Sequence, residues 1–292
     1  MATTDIQIQI LQTGTITVRP SLYTQPHTRS PLLRLLHILT DRQWRSPSLP
    51  VYTFLITHPT EGRILFDTGM SPSCNGPGYF AWWFPAIKFM SRLSITPDQS
   101  IGTQLLERGI GPGDLTAVVL SHLHHDHSGG LSDVAGAPVL MSKEHWEAFQ
   151  SPTAATLSGA APNHWPRDFA PDFLQATGGP VGPFEKSYPV TADGRVVAVE
   201  TPGHMRGHVS LVVFGDEATT YFLTGDATYD LESLDAEGTD GANDDPVGAV
   251  ETVRKIKQLA RERPLVVLPS HDLGSRQRLE EKIAYKPSNT GF

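Results

Sequence analysis

The apolar run Ala117-Val118-Val119-Leu120 breaks off at Ser121 and gives way at once to His122-Leu123-His124-His125-Asp126-His127. Few folds accommodate such a junction. A compact apolar run of this kind reads as a buried strand, so the cluster stands at a strand's C-terminal end. On a strand-to-loop turn, His122 and His124 point to the same side, and Asp126 and His127 lie one step beyond, where they can serve a second ion. Imidazole nitrogens combined with a carboxylate form a donor set suited to zinc. The bland alternative is a polar loop with incidental histidines, which leaves the embedded carboxylate and the apolar lead-in unexplained.

Other apolar runs end in the same manner. Ile6, Ile8 and Ile10 alternate with Gln7 and Gln9, the period of a half-buried strand. Val51 to Thr57 and Arg63 to Asp67 flank the polar stretch His58-Pro59-Thr60-Glu61-Gly62 and read as a hairpin running into Asp67-Thr68-Gly69. Val139-Leu140, Val196 to Glu200, Leu211 to Val213, Tyr221 to Leu223 and Leu265 to Leu268 are further strands, several ending at loops that carry His or Asp. A short helix is expected over Ser100 to Arg108. A longer one starts at Asp245-Pro246, a good cap and first-turn pair, and follows Val250, Val253, Ile256 and Ala260 to Pro264. The alternation predicts an α/β fold of stacked sheets with helices outside, in one domain over residues 1–292, with no internal repeat.

A formal net charge of −8 argues against a chain that tracks a phosphate backbone, so nucleic acid is not an expected partner. The single cysteine, Cys74, leaves no intrachain disulfide, and the start MATTDIQIQI lacks a basic segment followed by an apolar core. No apolar run approaches the roughly 20 residues needed to cross a bilayer. Together these predict a soluble, cytoplasmic protein with no membrane partner.

The motif His122-x-His124-x-Asp126-His127 resembles the signature of the metallo-β-lactamase superfamily, and further elements of that family follow in order. Asp67-Thr68-Gly69 precedes the cluster; Thr201-Pro202-Gly203-His204, Thr224-Gly225-Asp226 and Pro269-Ser270-His271 come after it. The resemblance covers about Val51 to Asp272. It implies a four-layer αβ/βα sandwich with a dinuclear metal site at one edge of the sheets. It further implies that His122, His124 and His204 bind one zinc, that Asp126, His127 and His271 bind the other, and that Asp226 bridges both. Asp67 and His208 are then expected to support ligands rather than bind metal. His125 occupies a variable position, as a surface or supporting residue. His27, His37, His58, His145 and His164 have no companion at ligand spacing and read as ordinary surface or core histidines.

Two zinc ions can share a water, lower its pKa toward neutrality and deliver hydroxide to a carbonyl that one ion polarises. Tyr229, three residues after Asp226, is the candidate donor to the developing oxyanion; packing at the sheet's edge is its structural alternative. Within the superfamily, Asp226-x-x-Tyr229, Ser121-His122-Leu123-His124, Asp67-Thr68-Gly69-Met70 and Thr201 to His208 resemble the N-acyl-homoserine lactonases. That likeness implies opening of a lactone ring and a quorum-quenching role, with Asp126 or water protonating the leaving oxygen. A zinc-dependent thioesterase, of the glyoxalase or polyketide-releasing kind, uses the same cluster and is the second reading. A silent zinc-stabilised binding protein is a third.

Two stretches do not map onto the lactonase pattern, near 19–48 and 71–90. The second holds Tyr79-Phe80-Ala81-Trp82-Trp83-Phe84. Such aromatic density has three uses: an apolar wall for a hydrophobic substrate, a homodimer interface, or core burial under a loop. The acidic loop Asp230 to Asp245 reads as a solvated connection, and Arg206 as a surface arginine.

Overall fold

The structure is a computed structural model that describes residues 5–215 and 219–288. The chain forms two compact units: one from the N-terminal segment ending at Arg19 together with Arg42–Leu174, the other from Pro20–Asp41 together with Gln175 onward. Each is a sheet with its own apolar core, and the chain is of mixed α/β class as expected.

The first unit contains β1 (Gln7–Val18), β2 (Leu49–His58), β3 (Gly62–Phe66), β4 (Ser91–Ser94), β5 (Leu115–Val119), β6 (Val139–Met141) and β7 (Asp172–Phe173), in the spatial order β4-β1-β2-β3-β5-β6-β7. The anticipated hairpin is present: β2 and β3 pair antiparallel, with Phe54 opposite Phe66 and His58 opposite Gly62. From β3 onward the pairing is parallel. Parallel strands bring like ends together, so Asp67, after β3, lies beside the cluster that follows β5. The core gathers Leu55, Leu65, Ile101, Val118, Leu120 and Leu123. Burial of Leu123 within the histidine cluster anchors that loop to the core, leaving its polar neighbours to turn away.

The second unit contains β8 (Tyr188–Pro189), β9 (Val196–Glu200), β10 (Val209–Phe214), β11 (Thr220–Leu223) and β12 (Leu265–Leu268), in the order β12-β11-β10-β9-β8. β10 runs antiparallel to both β9 and β11, and β12 runs parallel to β11. It follows that β9, β11 and β12 all point the same way. His204, Asp226 and His271, each a few residues beyond one of these strands, therefore emerge at the same sheet edge. The helix Pro246–Glu262 is capped by the Asp245 carboxylate, which accepts from Val247 N. Its buried stripe is Val250, Val253, Ile256 and Leu259, and the half-buried Ala260 packs against the same core.

Other expected strands fall where the sequence placed them, and the helix expected over Ser100 to Arg108 spans Ile101–Leu106. The helix Pro31–Thr40, inside the first unmapped stretch, was not anticipated. It is inside out: Arg34 and Ile38 are buried, whereas Leu32, Leu33, Leu35, Leu36 and Leu39 are each more than half exposed. In the second stretch the aromatics divide. Tyr79 and Phe80 are core, and Trp82 and Trp83 are exposed. Among the described residues no helix is long and apolar enough to cross a membrane.

Candidate metal centre

In the first unit, Asp67 follows β3 with φ of 62°, in the left-handed region that Asp tolerates better than most residues. The turn continues through Gly69, where a Cβ would lie 2.0 Å from Thr13 Oγ1, so only glycine fits. This geometry aims the fully buried Asp67 carboxylate at the cluster. Its Oδ1 accepts from Ser121 N at 2.8 Å, and its Oδ2 accepts from Ser121 Oγ at 2.9 Å and lies 2.8 Å from His127 Nδ1. The Ser121 hydroxyl lies 2.9 Å from His122 Nδ1. His122 Nε2 lies 2.9 Å from His124 Nδ1, so two ring nitrogens converge. A single helical turn, His125–Ser128, then presents Asp126 and His127, both buried, with ligand atoms within 4.8 Å of each other. The loop's backbone is pinned as well: Leu123 N donates to His145 Nε2 at 3.0 Å.

In the second unit, the carboxylate of Asp226 is buried between two imidazoles. Its Oδ2 lies 3.4 Å from His204 Nε2 and its Oδ1 lies 3.2 Å from His271 Nε2. The other nitrogen of His204, Nδ1, is held 2.9 Å from Asp240 Oδ2. His208 stays out of this set. Its Nδ1 lies 2.9 Å from Thr201 Oγ1, and its Nε2 accepts from Asp226 N at 3.1 Å. Tyr229 leans between the imidazoles of His204 and His271, its ring centroid 6.1 Å from the first and 5.5 Å from the second. Tyr23 packs on it at 5.6 Å and donates its hydroxyl to the Asp230 carboxylate.

These arrangements suit a metal. A ligating histidine ordinarily has one ring nitrogen fixed by a carboxylate, hydroxyl or carbonyl, leaving the other for the ion. His122, His127 and His204 are tied in that way through Nδ1, by Ser121, Asp67 and Asp240. One carboxylate with an imidazole at each oxygen is, in turn, the donor pattern of a group shared by two ions.

The profile of the metallo-beta-lactamase superfamily matches residues 47–271, most of the chain. The chain belongs to that superfamily. Among curated relatives, this superfamily member is 27% identical over 227 residues to the N-acyl homoserine lactonase AiiA of Bacillus thuringiensis subsp. kurstaki, covering 77% of this chain and 82% of AiiA. It is 26% identical over 277 residues to the N-acyl homoserine lactonase AttM of Rhizobium radiobacter, covering 92% and 94%. In fold it is similar to a solved N-acyl homoserine lactone hydrolase with the product N-hexanoyl-L-homoserine bound at its catalytic metal center. The TM-score is 0.70 at 23% identity, over 95% of this chain and 96% of that one.

Within this superfamily chain, the structure brings together in one unit His122, His124, Asp126 and His127, and in the other His204, Asp226, His271 and Tyr229. One sequence reading is corrected and two are narrowed. Asp240, in the loop read as a solvated connection, is buried against His204. His145, read as an ordinary surface or core histidine, is a core one, fully buried, and it holds the cluster's backbone. His125 is not at the surface; it is buried edge-on to Phe80, their ring centroids 5.0 Å apart. The spacing of the sequence carries no signal for Asp240 or His145, because each reaches its partner from a segment without a motif. Arg206 is exposed, as expected.

Proposed function

We propose that the chain is a dinuclear zinc hydrolase that opens the ring of a lactone, an N-acyl-homoserine lactone or another hydrophobic lactone. The observation that carries this reading is the Asp226 carboxylate with His204 at one oxygen and His271 at the other, flanked by Tyr229. The curated relatives add weight, since AiiA and AttM both bear the lactonase name. On this reading His122, His124 and His204 hold one ion, Asp126, His127 and His271 hold the other, and Asp226 serves both. The assignment treats the two units as one working domain. When bound, the two ions supply Lewis acidity, polarising an acyl carbonyl and bringing the pKa of water toward neutrality.

The chain's own groups do the rest. The Tyr229 hydroxyl donates a hydrogen bond to the carbonyl oxygen as negative charge builds on it, a contribution that strengthens along the reaction coordinate. Asp126 takes up the proton released by the attacking water and passes it to the ring oxygen as it leaves. Ser121, Asp67 and Asp240 fix the imidazole rings, so that little reorganisation accompanies the reaction.

Replacing Tyr229 by Phe tests the reading. Turnover of an N-acyl-homoserine lactone should fall by about 10²–10³, the cost of losing one oxyanion donor, with zinc content unchanged. Loss of zinc together with activity would make Tyr229 a packing residue. An acyl thioester assayed in parallel separates the lactonase from the thioesterase, and preference for the thioester would overturn the lactone assignment.

A further inference from the structure

The inside-out helix Pro31–Thr40 poses a physical question. Its leucines face outward, and the one charged residue on its buried face is Arg34. Apolar burial alone would turn it the other way, so the polar contacts of Arg34 must set its orientation. They are extensive. Arg34 Nη1 donates to Pro26 O at 2.9 Å, and Nη2 donates to Asn243 Oδ1 at 2.7 Å and to the Asp240 carbonyl.

The same chain segment grips the same loop at two further points. Gln25 N donates to Thr239 O at 2.9 Å and Thr239 Oγ1 returns a bond to Gln25 O at 3.0 Å, forming an antiparallel bridge. Gly241 N donates to Leu22 O at 2.7 Å. The approach is so close that a Cβ on Gly241 would meet Ser21 O at 2.0 Å. Apart from the bond to Pro26, which braces the strap itself, these bonds converge on residues 239–243. That stretch reaches the site through Asp240 Oδ2, which lies 2.9 Å from His204 Nδ1 and also accepts from Asn243 Nδ2 at 3.0 Å. Asn243 thus takes a bond from Arg34 with its oxygen and gives one to Asp240 with its nitrogen. The line Arg34–Asn243–Asp240–His204 is a hydrogen-bonded series in which each member polarises the next.

We infer that Pro20–Asp41 is a strap whose positioning residue, Arg34, holds Asp240 against His204 and thereby sets the imidazole offered to the metal. This rests on the reading of His204 as a zinc ligand. In the first unit, Asp67 performs the corresponding task for His127 from a turn next to a strand, where the sheet already fixes it. Asp240 stands in a loop distant from any strand end, and the strap supplies the rigidity that the sheet does not.

The test is zinc affinity, measured by chelator competition on the zinc-loaded full-length chain, so it needs no substrate. Asp240→Asn should weaken one of the two bound ions about 10–100-fold, as is usual when the group orienting a ligand histidine is lost. Arg34→Met should weaken the same ion by about tenfold. The double variant should be no worse than Asp240→Asn alone, because Arg34 acts through Asp240. Arg34→Lys, which keeps the charge without the planar fork, should restore part of the loss. A purely structural role would lower the melting temperature while leaving both affinities at their original values, and that result overturns the strap, as does additivity in the double variant. If Arg34→Met does not fold, Asn243→Leu carries the same prediction, because it cuts the series at its middle member. Two bound zinc ions without lactone turnover would overturn the lactone reading and leave the strap standing. An unaltered chain that takes up no zinc would end both.

Discussion

The two units solve the same problem with different means. In the first, four ligand candidates fall within six residues, His122 to His127, on one loop anchored by the buried Leu123 and by the Asp67 carboxylate. In the second, three candidates come from the ends of three strands, and only the common direction of β9, β11 and β12 brings them to one edge. A local cluster is held by its own turn. A dispersed one depends on sheet register and on borrowed supports, here Asp240 and the strap behind it. On the proposed reading, the first half is preorganised and the second is the one that a bound metal would complete.

Metal removal should therefore break the symmetry most visibly. If the chain holds zinc as proposed, stripping it is expected to abolish hydrolysis and to lower stability by about 4 kcal/mol for each ion, relative to protein held in a thousandfold excess of zinc over its Kd. Hydrogen exchange should locate the loss first in residues 201–208 and 224–230 and only later in 121–128. Equal deprotection of both segments would remove the distinction between the halves. The next largest contrast is between the two orienting carboxylates. Asp67→Ala and Asp240→Ala should each cost about 10–100-fold in zinc affinity. Asp67→Ala should cost the fold more, by about 1–3 kcal/mol, because it strands the buried Ser121 N–H, whereas Ala242 N and Asn243 Nδ2, which Asp240→Ala releases, belong to residues with access to solvent. Denaturant midpoints measured beside chelator titrations read both quantities.

The same contrast explains what could be read from the sequence. His122 to His127 and the apolar run before it lie in one window, so both strand and donor set were legible, and Asp67 was legible because it closes a hairpin strand. His204, Asp226 and His271 were legible only through the family pattern, since nothing in their own spacing links them. His145 and Asp240 were hidden for a simple reason: a histidine that accepts a backbone N–H and an aspartate that holds an imidazole need only reach their partners in space. The helix Pro31–Thr40 misleads any reading by hydropathy, because its leucines are the exposed residues and its arginine is the buried one.

Each unit nevertheless uses a buried histidine to fix the backbone of its ligand loop, His145 under Leu123 N and His208 under Asp226 N. Replacing either by Leu leaves that N–H without its acceptor, at a cost of about 1–3 kcal/mol. The two should diverge in metal affinity. Asp226 is itself a ligand candidate, so His208→Leu should weaken zinc, whereas the N–H held by His145 belongs to Leu123, which points into the core, and His145→Leu should weaken zinc less. Equal losses of affinity would mean that the first loop is no more self-supporting than the second.

The smallest effects are expected at the exposed apolar residues, and these test whether each unit's surface contributes to its own fold. Trp82 is 90% exposed in the first unit and Leu32 is 75% exposed in the second. A side chain so exposed has little apolar area left to lose on truncation, so Trp82→Ala and Leu32→Ala should each change stability by no more than about 0.5 kcal/mol in dilute solution. Arg34→Met, two residues from Leu32, removes three bonds from the buried face of the same helix and should exceed either. A drop well above 0.5 kcal/mol at high protein concentration that shrinks as the protein is diluted would show that the residue is covered by a second copy of the chain. In that event the aromatic or leucine face belongs to an interface, and the unit carrying it depends on association for part of its stability.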